Sequence, residues 1–325
     1  MRGVFLDINT IGPDDLDLQP LTSTLAHWSL PEQAGPDELP ALVSNAEVIV
    51  TNKVPLDRDI LLATDSLRLI CVAATGTNNI DLGSAAERGI TVCNVRAYAT
   101  TSVVEHVFSM MLAFTRQHND HQQAIKRGAW GRAETFSLLD FPIHELAGQT
   151  LGIVGYGELG KAVARMGKAF GMKILVAQRA GTSGKPADRR VSLQQLLAES
   201  DIISLHCPLV EATRNLIDTR ELEQMRNSAL LINTARGGIV NEQALADALC
   251  CGNIGGAAID VLSEEPPRHG NPLLDRKIPN LVITPHIAWA GVTARQTLVN
   301  ELAANIQAFL DGKPQNIVAG PVSYT

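Results

Sequence analysis

Residues 150–178 read TLGIVGYGELGKAVARMGKAFGMKILVAQ. An apolar run of strand length meets three glycines, a helical pattern follows, and a second apolar run closes the stretch. Gly155, Gly157 and Gly160 form G-x-G-x-x-G between the strand and the helix. In such a unit the first glycine permits a tight turn. The second lets the backbone approach a pyrophosphate, and the third lets the helix pack closely on the strand. The helix N-terminus then offers unpaired N–H groups to an anion. With strand, loop, helix and second strand in register, the stretch predicts a dinucleotide-binding βαβ unit. Its loop residues Gly155, Tyr156, Gly157, Glu158, Leu159 and Gly160 are the first candidates for the cofactor.

The rest of the chain repeats this alternation. Upstream, AEVIVTN (46–52), LRLICVAAT (67–75) and ITVCNV (90–95) are short apolar runs, separated by helical patterns at 55–63 and 81–89. Downstream, strand-like runs occur at 150–155, 173–178, 201–206, 229–234, 255–261 and 281–286. Nearly continuous apolar strands alternating with helices imply parallel sheets buried on both faces. The fold class expected is α/β, with two doubly wound parallel-sheet domains. A long helix is predicted over 102–119, with Ser102 and Glu105 as a capping box. Residues 120–147 show no clear period and carry aromatics, which reads as an extended arm. A final helical pattern at 293–313 leads into a polar tail.

Composition narrows the function. Of 325 residues, 45% are hydrophobic and the net charge is −7, which argues against a general nucleic-acid surface. The densest basic cluster is Arg189-Arg190, read as an exposed loop or helix start. The N-terminal apolar run is short and broken by Asp7, so no secretory signal is expected, and no stretch approaches a membrane span. Five cysteines with no C-x-x-C pair argue against disulfide scaffolding and zinc, and suit a cytoplasmic protein. They read mostly as small core residues.

Ligands of doubly wound sheets sit at the carboxyl ends of strands. Three titratable groups fall there. LINTARGG brings Arg236, AIDVLSEEPP brings Asp260 with Glu264 and Glu265, and VITPHIAWAG brings His286. A nicotinamide cofactor transfers hydride but no proton. A histidine can give or take that proton near neutral pH. A neighbouring carboxylate favours the imidazolium and holds the ring. An arginine can bind a substrate carboxylate through two parallel bonds. On residues alone, either Glu264 or Glu265 could serve.

GIVGYGELG, LHCPLVEATRNLI, LINTARGGIVNEQAL, AAIDVLSEEP and TPHIAW together resemble the D-isomer-specific 2-hydroxyacid dehydrogenase family over nearly the whole chain. The run FSLLDFPIHELAGQTLGIVGYGELG is most similar to its glycerate dehydrogenase, or hydroxypyruvate reductase, branch. The resemblance implies a flavodoxin-like substrate domain (1–98 and 288–325), a Rossmann cofactor domain inserted at 99–287, and a cleft between them. It implies a homodimer whose arms, around 120–147, cross between subunits, with Trp130 near the boundary. It assigns catalysis to Arg236, Glu265 and His286, selecting the glutamate that directly precedes a proline. It puts the substrate carboxylate on the backbone of Thr75, Gly76 and Thr77, with Arg236 and His286 completing that site. Asp260 falls near the nicotinamide carboxamide. Ser102, Cys207, Pro208, Thr213, Thr234 and Ala235 fall on cofactor-lining positions.

The implied activity is hydride transfer between NAD(P)H and a small 2-keto or 2-hydroxy acid, foremost hydroxypyruvate or glyoxylate. Alternatives are another member acting on D-lactate, bulkier 2-keto acids, formate or phosphite, or a dinucleotide-sensing, corepressor-like binding protein. A binder of NAD usually ends its second strand on an acid that receives the ribose hydroxyls and repels a 2′-phosphate. Eighteen positions after Gly160 stands Gln178, with Arg179 next and Thr182, Ser183 and Lys185 beyond. The strand end therefore predicts a preference for NADP(H), with NAD(H) still able to bind.

Overall fold

The computed structural model describes residues 1–182 and 190–320. Ser183, Lys185 and Arg189 lie outside the described residues. The chain divides into two compact units, Met1–Ala99 with Ala290–Thr325, and Thr100–Trp289.

The first unit holds a six-stranded sheet in the order β12-β5-β4-β3-β1-β2. Its strands are β1 (Arg2–Phe5), β2 (His27–Ser29), β3 (Val48–Thr51), β4 (Leu69–Val72), β5 (Thr91–Cys93) and β12 (Ile317–Ala319). β1 to β5 run parallel, and all residues of β3, β4 and β5 are buried, as their unbroken apolar runs require. Their order makes the unit flavodoxin-like, with strand order reversing between β1 and β3. β12 pairs antiparallel with β5, so the tail read as merely polar adds an edge strand. Asp57 and Asp81 cap the helices Arg58–Leu62 and Leu82–Glu87 through side-chain bonds.

The second unit is a sheet of six parallel strands in the order β11-β10-β9-β8-β6-β7. These are β6 (Thr150–Val154), β7 (Lys173–Val176), β8 (Ile202–Leu205), β9 (Leu230–Asn233), β10 (Gly256–Ile259) and β11 (Leu281–Ile283). Beyond β7, a single parallel bridge joins Ala177 to Val191. That bridge stands where a Rossmann sheet carries its outermost strand on this side. Leu196, Leu197, Ile203, Leu205, Leu231, Leu245 and Ile259 are among the buried residues of the core.

The long helix begins at Thr100, so Ser102 lies inside it and is no N-cap. It stops at Arg116 because Gln117 turns left-handed (φ 49°), and a second helix runs His118–Lys126. The first part of the predicted arm is thus helical. Trp130–Arg132 forms a 3₁₀ turn, and residues 133–149 contain no helix or strand. Cys71 and Cys93 are buried, but Cys250 and Cys251 are exposed at the end of the helix Glu242–Cys251, which corrects their reading as core residues. Among the described residues, no helix is long and apolar enough to cross a membrane, and no cluster of three metal-ligating side chains occurs.

Candidate active site

The glycine loop links β6 to the helix Glu158–Ala169. Gly155 has φ +93°, and a Cβ there would lie 2.5 Å from the backbone of His206 and Cys207 at the end of β8. A Cβ on Gly160 would collide with the Gly155 carbonyl oxygen. Gly157 is the opposite case, since a Cβ there meets nothing within 4 Å. It is the N-cap of the helix, and no side chain caps it. The helix end therefore presents its first N–H groups and its positive pole at an open glycine.

Two orphaned polar atoms lie on the same edge of the sheet. His206 Nδ1, after β8, and Thr234 Oγ1, after β9, are buried without a hydrogen-bond partner. The His206 ring is held at Nε2, 2.8 Å from Ser204 Oγ, and burial pushes its pKa down to about 4. Buried polar groups are normally satisfied. An uncapped helix, an open glycine and two orphans fit a polar ligand lying along this edge, as a nicotinamide dinucleotide would. Cys207, alongside, is half-buried, and burial raises its thiol pKa.

Gln178 follows β7. Its Nε2 donates to Thr182 O (3.0 Å) and to Thr182 Oγ1 (2.8 Å), and Thr182 Oγ1 donates to Arg179 O. The amide NH₂ is therefore engaged, and the side chain offers its carbonyl oxygen. Arg179 is exposed on this small turn.

Three neighbouring strands carry the titratable groups. Arg236 follows β9, and its Nη1 donates to the Ala235 carbonyl (2.7 Å). Asn233, buried at the end of β9, braces this turn by accepting from Ala235 N (3.0 Å) and donating to Arg236 O (2.9 Å). Gly237 must lack a side chain, because a Cβ there would collide with the Leu262 carbonyl of the loop after β10. Sequence reasoning missed both residues. A polar Asn ending an apolar strand was the available signal.

Glu265 stands in the loop after β10. Its Oε2 lies 2.6 Å from His286 Nδ1, and its Oε1 accepts from Leu262 N (2.8 Å). Glu264 pairs instead with the exposed His269, at 2.7 Å. Of the two glutamates, Glu265 is the one that meets His286. His286 follows β11 with φ +56°, and its carbonyl accepts from the Trp289 indole.

Asp260 is 1% exposed, and its oxygens receive Ile287 N, Ala288 N and Thr284 Oγ1. It braces the turn that carries His286. Thr213 is likewise enclosed. Its hydroxyl donates to Pro208 O (2.6 Å) and accepts from Val210 N (2.8 Å). Ser102 Oγ donates to Ala288 O (2.7 Å). In the first unit, Thr75 follows β4, with its hydroxyl on Val95 O (2.8 Å) and its carbonyl on Asn94 Nδ2 (2.7 Å).

A dinucleotide-type fold with a histidine, a carboxylate on that histidine and an arginine on neighbouring strand ends fits an oxidoreductase of small oxo acids. The family described as "D-isomer specific 2-hydroxyacid dehydrogenase, NAD binding domain" matches residues 108–288. The chain belongs to this family of D-2-hydroxyacid dehydrogenases. It is 44% identical to a glycerate dehydrogenase of Methylorubrum extorquens, over 93% of this chain and 97% of that protein. It is 34% identical to a hydroxypyruvate reductase of Blautia hydrogenotrophica, over 98% of this chain and 99% of that one. Among solved structures, an acyclic imino acid reductase in complex with NADPH and D-Arg superposes with a TM-score of 0.84 at 26% identity, covering 98% of this chain and 100% of that one.

Proposed function

We propose that this dehydrogenase reduces hydroxypyruvate, and glyoxylate beside it, running also as a D-glycerate dehydrogenase. The likeness to a glycerate dehydrogenase and a hydroxypyruvate reductase over nearly full length supports the substrate class. The observation that carries the chemistry is the 2.6 Å contact of His286 Nδ1 with Glu265. With Nδ1 held, Nε2 is the ring nitrogen that hands a proton to the substrate oxygen. Glu265 fixes the ring. Arg236 takes the substrate's carboxylate and carbonyl through its planar fork. The nicotinamide, when bound, supplies the hydride. Thr234, Ala235 and Pro208 line its pocket together with the glycine loop. Asp260 and Thr213 act on it through the turns they hold.

The preferred cofactor in this reading is NADP(H). Gln178 offers an acceptor without a negative charge, so it receives a ribose hydroxyl without repelling a 2′-phosphate, and the exposed Arg179 can pair with that phosphate. The active form is a cytoplasmic homodimer. Phe136 and Leu139 are 93% and 77% exposed, beside Trp130, an apolar group suited to a second copy. The five cysteines are free, as a reducing compartment keeps them.

The test is turnover of hydroxypyruvate by purified protein with NADPH and with NADH. A higher kcat/KM with NADPH, lowered by Arg179→Ala, is expected. Preference for NADH that Arg179→Ala leaves untouched overturns the cofactor assignment, and no turnover with either overturns the substrate assignment. A monomer in sedimentation at micromolar concentration overturns the dimer.

A further inference from the structure

We propose that His106 is a positioning residue for His286, acting through a hydrogen bond to Thr284. The proposal rests on the reading of His286 as the acid–base group.

The backbone at His286 sets the problem. A non-glycine residue in the left-handed region is disfavoured, so the turn needs bonds that hold it there. Asp260 supplies most of them. Oδ1 accepts from Ile287 N (2.9 Å) and Thr284 Oγ1 (2.5 Å), and Oδ2 accepts from Ala288 N (2.9 Å). The Asp260 carbonyl also accepts from His286 N (2.8 Å). The turn is thus wrapped around one buried carboxyl group.

The Thr284 hydroxyl has a single proton, and the bond to Asp260 uses it. Its 3.1 Å contact with His106 Nε2 therefore requires His106 to donate. This assigns the proton to Nε2 from the hydrogen-bond network. The same nitrogen stands 3.6 Å from Asp260 Oδ1, and the side chain is only 16% exposed. Four residues earlier on the same helix, Ser102 donates to Ala288 O. Residues four apart share a helix face. One face of Thr100–Arg116 therefore grips the His286 turn at both ends, at Thr284 and at Ala288. Without the His106 donor, the Thr284 hydroxyl keeps only its bond to Asp260, the helix loses its hold on this end of the turn, and the ring that Glu265 holds at 2.6 Å drifts.

The experiment compares His106→Leu, which deletes the donor, with His106→Gln, which can present an N–H at a similar reach. His106→Leu should lower kcat about tenfold while KM and the Kd for NADPH, read by fluorescence titration, stay within about twofold. His106→Gln should restore most of the loss. Independently of turnover, the ring ¹⁵N signals of His286, assigned with His286→Gln, should move in His106→Leu and return towards wild type in His106→Gln. An unchanged kcat and unmoved His286 signals in His106→Leu overturn the proposal. So does a glutamine variant as poor as leucine, or a Kd that weakens in step with kcat. If His106→Leu fails to fold, Thr284→Val deletes this bond together with the one to Asp260, so kcat should fall at least as far and the His286 signals should move, and unchanged values overturn the proposal. If the wild type turns over no 2-keto acid, the reading of function fails while the NMR comparison still decides the role of His106.

Discussion

Both sheets reverse their strand order beside their own first strand, and they treat the resulting crevice in opposite ways. In the first unit it lies between β1 and β3, and the chain fills it with its own anion. Asp7 is fully buried, and its carboxylate accepts from the N–H groups of Asn52 (2.9 Å), Lys53 (2.6 Å) and Val54 (3.1 Å). Three successive amides around one carboxylate form the kind of nest that elsewhere binds a phosphate. In the second unit the crevice lies between β6 and β8. There the loop's acid, Glu158, is exposed and accepts from Thr100 Oγ1 (3.4 Å), Gly157 faces open space, and the buried His206 Nδ1 and Thr234 Oγ1 lack partners. The same topology thus yields a self-satisfied scaffold in one unit and a ligand-ready edge in the other. The difference comes from a few residues at strand ends.

Four substitutions can break this contrast. The largest effect is expected on the open edge, where His286→Ala should lower kcat by about 10²–10⁴-fold and leave the NADPH Kd nearly unchanged. Near-normal turnover would remove His286 from the chemistry. On the filled edge, Asp7→Ala strands three amide donors and should cost about 3 kcal/mol of stability, read by denaturant unfolding. A variant as stable as wild type would mean that Asp7 is dispensable to the scaffold.

The third test uses pH. His206 titrates near 4 in the fold against 6.5 for an unburied histidine, so the unfolded chain binds the proton first as pH falls. Its contribution is fully present above about pH 6.5 and is lost on acidification towards 4, by up to about 2 kcal/mol at pH 5. His206→Gln should flatten the decline in Tm between pH 7 and 5, and an equally steep decline would assign the acid sensitivity elsewhere. Smallest is Gly157→Ala. A methyl group there meets no protein atom, so Tm should hold while the NADPH Kd weakens about tenfold, because the backbone is kept from the pyrophosphate. A Tm loss without a Kd change would show that Gly157 serves the fold instead.

The open edge was far more legible in the sequence than the filled one. Glycines with fixed jobs, and Arg, Glu and His at the ends of apolar runs, break the local pattern and so announce themselves. Asp7 broke its run too, but that a lone acid would be buried under three amides 45–47 residues away depends on β1 lying beside β3, which no local pattern encodes. His106 was hidden for a related reason. It lies in a helix of ordinary spacing, and its partner is 178 residues distant. The break at Gln117 rests on one left-handed residue in an otherwise helical run. The antiparallel β12 is three residues long, too short for alternation to show. Which of Glu264 and Glu265 meets His286 depends on the path of the loop after β10, which the local sequence does not encode.

The strand order of the second sheet also bears on how such an enzyme can change over time. The turn at Gln178–Thr182 follows β7 at one margin, while Arg236, Glu265 and His286 follow β9, β10 and β11 towards the other. Three strand spacings of roughly 4.8 Å separate β7 from β9, beyond the distance at which substitutions usually couple. If the proposed roles hold, a lineage can exchange one dinucleotide for the other at the β7 margin without retuning the Glu265–His286 pair, and the two sets of changes should combine additively. On that reading the sheet is a spacer that keeps the source of reducing power and the chemistry of the substrate separately evolvable.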